Sequence, residues 1–122
     1  MYSPQVLDHF QNPRNPGAVK GADAMVQIEN PACGDVLQLS AKTAGGRIKE
    51  IGFLAKGCVP AMACASVLTE LARGRTFEEA RKLRREDLIE NLGGLPEAST
   101  HATHLALDAL AALLRKLAQS DQ

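Results

Sequence analysis

From position 24 the chain alternates between apolar and polar residues. Ala24, Val26 and Ile28 are interleaved with Met25, Gln27 and Glu29, and Leu37, Leu39 and Ala41 with Gln38, Ser40 and Lys42. A period of two predicts strands with one apolar face. Gly45-Gly46 suits a tight hairpin turn, and Ile51, Phe53 and Ala55 carry the pattern onto a third strand. From Pro60 the pattern becomes helical. Pro60 fits a first helical turn, and Gly74 fits the end of a helix running to about Arg73. Thr76-Phe77-Glu78-Glu79 has the form of a capping box and starts a short helix. Glu86 to Asn91 predicts another, closed by Gly93-Gly94. A final helix runs from near Ser99 to about Ala118, with Ala106, Leu110, Leu113 and Leu117 at i, i+4, i+7 and i+11. At the front, Ser3 can cap a short helix whose first turn holds Pro4 and whose apolar side is Val6, Leu7 and Phe10. Asn12-Pro13-Arg14-Asn15-Pro16-Gly17 stops that helix in a turn-rich loop. Strands then helices in blocks predict an α+β fold: an antiparallel three-stranded sheet whose apolar face the helices cover.

Composition narrows the possibilities. The 122 residues, 45% of them apolar, predict a single globular domain spanning 1–122. Fourteen basic residues balance fourteen acidic ones, which leaves no electrostatic case for nucleic acid or an anionic membrane. One tyrosine, three phenylalanines and no tryptophan leave little for base stacking. No apolar run approaches a membrane span, and the first residues do not read as a signal peptide, so a cytoplasmic protein is expected. Cys33, Cys58 and Cys64 are odd in number, which argues against a disulfide framework.

Four places could carry chemistry. Cys33-Gly34-Asp35 lies between two strands, and the glycine permits the sharp bend a thiol and a carboxylate need to converge. This soft-and-hard donor pair suits zinc or iron; from this motif alone a plain turn, with a buried cysteine and an aspartate bonded to backbone, is the favoured reading. Cys58 stands at a strand-to-helix corner, where a helix N-terminus favours thiolate, or where an ordinary cysteine packs. Cys64, among small apolar neighbours, reads as packing. His101, His104 and Asp108 share a helix face opposite the leucines, either toward a metal or toward water. His9 reads as a surface residue without a role.

In this order the residues resemble the NifU/IscU-type scaffolds of iron–sulfur cluster assembly over nearly the whole chain. The matching stretches are Tyr2 with Val6 to Phe10 and Asn12 to Asn15, Pro31 to Asp35, Phe53 through Lys56-Gly57-Cys58 to Glu70, and Leu95-Pro96 through His101 to Ala109. The resemblance implies a SufE/NifU-like fold and a non-enzymatic role. It implies a partly exposed site for a [2Fe-2S] cluster or iron, with zinc as a surrogate, built from Cys33, Asp35, Cys58 and His101. Cys33 and Cys58 would be thiolate ligands, Asp35 would keep the cluster labile, and His101 would be a ligand or close neighbour. The implied partners are a cysteine desulfurase and iron–sulfur acceptor proteins.

Two departures stand out. Where the family follows its histidine with a third cysteine, this chain has Ala102, for which Cys64 or His104 is the available substitute. The chaperone-recognition segment is not reproduced beyond Leu95-Pro96. Two other readings stand beside this one, the second of them motivated by the missing thiol. One is a zinc-dependent persulfide acceptor or transferase using Cys33 or Cys58. The other is a degenerate module that keeps the fold for metal binding or interaction.

Overall fold

A computed structural model describes residues 2–32 and 34–120. Cys33 lies outside the described residues. Strands β1 (Ala24–Asn30), β2 (Asp35–Ala44) and β3 (Arg47–Lys56) form an antiparallel sheet in that order. Ala44 pairs with Arg47 across the two-residue turn, and Gly45 and Gly46 both take positive φ, as the tight turn requires. The register places Leu37 opposite Ala55, Leu39 opposite Phe53 and Ala41 opposite Ile51. These six residues share one face, and all but the partly buried Ala55 are buried there.

Helices α2 (Val59–Ala72) and α5 (His101–Ser120) close that face, joined by α1 (Pro4–Gln11) and the short α3 (Phe77–Arg81) and α4 (Arg85–Asn91). Ten of the fourteen residues of α2 are buried, so it is an interior helix rather than an amphipathic one. Its small residues, Ala61, Ala63, Cys64, Ala65 and Ser66, allow close approach from several sides. The predicted capping box at Thr76 and Glu79 is present. The last helix begins slightly later than its periodicity suggests, because Glu97–Ser99 forms a single 3-10 turn first. Among the described residues no helix is long and apolar enough to cross a membrane.

The open face of the sheet is partly roofed by the segment after α1. Phe53 donates its N–H to the Asn15 carbonyl and accepts from the Gly17 N–H, so this segment adds a short parallel pairing to β3. Val19 then donates to the Ser40 hydroxyl. Gly52 permits the crossing, since a Cβ there would meet the Gly17 carbonyl.

The first helix differs from its sequence reading. Ser3 does cap it, accepting from the Val6 N–H, while its hydroxyl donates to the Leu92 carbonyl. The docked side, however, is Val6 and His9, whereas Leu7 and Phe10 stay 41% and 37% exposed. His9 is therefore not a surface residue: it is 5% exposed, with Nδ1 2.8 Å from the Ser66 hydroxyl. Ser66 also accepts the Arg14 N–H, and Thr69 accepts from the Asn15 side chain, so α2 holds the roofing segment through two hydroxyls. Hydropathy misplaced His9 because a neutral imidazole with a hydroxyl partner is tolerated inside.

Burial holds the His9 pKa below its ordinary value of 6.5, and Arg14 lowers it further against the opposing pull of Glu70 and Asp8. The unfolded chain therefore takes up a proton at a higher pH than the folded one. This contribution to stability is complete above pH 6.5 and is lost as the pH falls. Urea unfolding at several pH values should show a midpoint falling below pH 6.5, with a smaller drop in His9→Gln. Ser66→Ala, which strands the Arg14 N–H and the imidazole, should cost about 2 kcal/mol in the same measurement.

Candidate metal centre

The β2–β3 register builds the site. Val36 faces Lys56, which brings Asp35, at the start of β2, against Gly57 and Cys58, just past the end of β3. Gly57 has no Cβ, and one placed there would run into the Asp35 carboxylate. The carboxylate fills that space. Its Oδ1 accepts the Cys58 backbone N–H at 3.2 Å, and its Oδ2 lies 3.5 Å from Cys58 Sγ. Asp35 is only 3% exposed, whereas Cys58 reaches the surface as the N-cap residue of α2.

His101 enters from the first turn of α5. Its Nε2 is 3.9 Å from Cys58 Sγ and 3.8 Å from Asp35 Oδ2. Its Nδ1 lies 3.2 Å from the Ala98 carbonyl oxygen. A carbonyl can only accept, so Nδ1 carries the hydrogen and Nε2 presents its lone pair to the thiol and carboxylate. Asp35, Cys58 and His101 are the one such trio among the described residues whose ligand atoms all lie within 4.8 Å of one another. A tetrahedral ion with ordinary zinc-to-ligand bonds would set its donors about 3.3–3.6 Å apart. The observed separations are at or slightly beyond that range, so an ion could draw the trio together with small side-chain adjustments.

The other sequence candidates do not join this group. His104 is exposed, one turn along α5. Cys64 is fully buried, and desolvation, with a smaller contribution from Cys58, pushes its thiol up to about 12, so it packs as a neutral group. Ala102 is 1% exposed within the core. The expectation that the helix terminus makes Cys58 a ready thiolate also fails without a cation. Desolvation raises its pKa, and the neighbouring Asp35 raises it further, outweighing the backbone N–H of Ala61. Two participants were missed from sequence: Gly57, whose role is to leave space, and the Ala98 carbonyl, which selects the histidine tautomer. The Lys56-Gly57-Cys58 string offered a signal for the first; main-chain groups such as the second leave none.

A three-stranded antiparallel sheet covered by helices on one side thus brings carboxylate, thiol and imidazole together at one end as a candidate metal site. The chain belongs to the NifU-like N terminal domain family, which it matches over residues 1–121. It is 47% identical over 110 residues to iron–sulfur cluster assembly scaffold protein IscU 1 of Archaeoglobus fulgidus, covering 90% of this chain and 72% of that one. It is 40% identical over 118 residues to the IscU scaffold of Azotobacter vinelandii, covering 93% and 91%. Among solved structures, a putative scaffold for the SUF system from Fervidobacterium islandicum superposes with a TM-score of 0.76 at 22% identity, covering 93% of this chain and 96% of that one. A NifU-like protein from Brucella abortus gives 0.75 at 20%, covering 96% and 94%. These two establish the fold expected from the sequence.

The electrostatics make a direct test. Asp35→Asn removes the charge that opposes thiolate formation, so the pH profile of Cys58 alkylation by iodoacetamide should move to lower pH. Gly57→Ala, which pushes the carboxylate away, should move it in the same direction while leaving the far-ultraviolet circular dichroism unchanged.

Proposed function

We propose that this protein is a non-enzymatic scaffold that binds iron or a [2Fe-2S] cluster as cargo through Cys33, Asp35, Cys58 and His101 and passes it to acceptor proteins. The observation that carries the reading is the convergence of Asp35, Cys58 and His101 from three separate elements, with the His101 lone pair aimed inward. Family membership supports it, since the matched relatives are named as iron–sulfur cluster assembly scaffolds. Cys33 precedes Asp35 by two residues in the sequence, which supports its assignment as the second thiolate. A donor set with one carboxylate and one imidazole holds a cluster less firmly than four thiolates would, as suits a cargo that must leave. Zinc fits the same donors and serves as a surrogate.

The expected partners are a cysteine desulfurase, which supplies sulfur, and the acceptors. The expected compartment is the cytoplasm, where thiols stay reduced. The raised Cys58 pKa removes the helix terminus as a source of thiolate, so the persulfide-acceptor alternative would need a bound metal to supply it at Cys58.

Anaerobic reconstitution with iron and sulfide tests the proposal. Visible sulfide-to-iron absorption should appear, fall at least tenfold in Cys58→Ser and Cys33→Ser, and transfer to an apo-ferredoxin. Absence of that absorption, with zinc filling the site instead, would overturn the cluster reading. Ala102→Cys should lengthen the cluster's lifetime if the missing thiol is what weakens it.

A further inference from the structure

Far from the metal centre, α5 carries a second apolar stripe that its neighbours cover only in part: Ala111 is exposed and Leu107 and Ala118 are half-buried, whereas Leu114 is buried. Leu107, Ala111, Leu114 and Ala118 recur at i, i+4, i+7 and i+11, the spacing of a helix surface made to receive another helix. The stripe lies about 9 to 26 Å along α5 from His101. The element beside it, α3, has five residues and is only about 8 Å long, half the length of the stripe. What remains is an open groove of about 550 Å³, floored by Leu83, Leu110 and Leu114.

The rim decides what fits. Among the described residues lining the groove, the charged ones are Arg81 and Arg115, and no carboxylate lines it. Arg115 has no ion pair among the described residues. Arg81 is bonded to Glu78 at 3.0 Å, but both side chains are largely exposed, and such a pair exchanges readily for an incoming carboxylate. Residues 73–85 hold six cations against two carboxylates, a local excess on a chain of zero formal charge.

We propose that this groove between α3 and α5 docks an amphipathic helix of a partner protein, apolar on the face that enters and acidic along its flanks. The partner's apolar residues, at i, i+3, i+4 and i+7, lie against Leu107, Ala111 and Ala118, and its carboxylates meet Arg81 and Arg115. Such a partner docks without covering Cys58 or His101, so cargo can be exchanged while it is held.

The probe is a fluorescein-labelled helical peptide about 14 residues long, with leucines at i, i+3, i+4 and i+7 and glutamates elsewhere. Fluorescence anisotropy with the full chain at low salt should saturate in the micromolar range, at least tenfold tighter than with the same peptide carrying lysines. Ala111→Glu and Arg115→Glu, both at exposed positions, should each weaken binding at least tenfold without moving the thermal midpoint. Equal binding of the glutamate and lysine peptides, or indifference to both variants, would overturn the proposal. So would self-association in sedimentation velocity, or binding to phosphatidylglycerol vesicles, if either is abolished by Ala111→Glu while the peptide does not bind. In those cases a second copy or a lipid surface is the occupant.

Discussion

The centre depends on one pairing register. Val36 lies opposite Lys56, and this alone puts the Asp35 carboxylate beside the Cys58 amide across twenty-three positions of sequence. A strand slipped by one residue would turn Leu37, Leu39 and Ala41 toward water, and it would carry Asp35 to the other face. The apolar alternation that drives the sheet to bury one side therefore also determines which donors meet. The two-glycine turn at Gly45-Gly46 closes the other end of the hairpin in a register one residue different, because the pairing shifts between Lys42 and Thr43, so the register at the site is held by the strand residues themselves.

Around that register the donors are held with unequal firmness. Asp35 is buried and tied to backbone, and Cys58 is fixed as the N-cap of a helix packed on several sides. His101 stands at the start of α5, just after the 3-10 turn, and owes its orientation to one hydrogen bond with the Ala98 carbonyl. The metal-free trio also opposes ionisation of its thiol, since burial raises the Cys58 pKa and the Asp35 carboxylate raises it further. A cation reverses that balance by stabilising both anions together.

Much of this was legible in the residues. The strands were readable because alternation reports a half-buried sheet directly, and the capping box at Thr76 has a local cause. Asp35, Cys58 and His101 were legible because unusual donors stand at the ends of elements. What escaped was set by contacts distant in sequence. His9 looked exposed because nothing local signals Ser66, fifty-seven positions later. Leu7 and Phe10 looked like a buried side because a short helix offers several plausible faces, and only the docking of Val6 chooses among them. Cys64 was read correctly as packing, because small apolar neighbours on every side describe an interior helix.

The positions of the three donors have a thermodynamic consequence. Residue 35 belongs to the sheet, 58 to the boundary of the interior helix and 101 to the terminal helix, so whatever they hold in common acts as a cross-link among parts of the chain joined otherwise by packing. The unfolded chain gathers these donors poorly, so binding favours the native state in proportion to the logarithm of free cargo. Under the proposed function, handing the cargo over would leave a looser molecule than the one that received it, and resistance to unfolding would become a measure of loading.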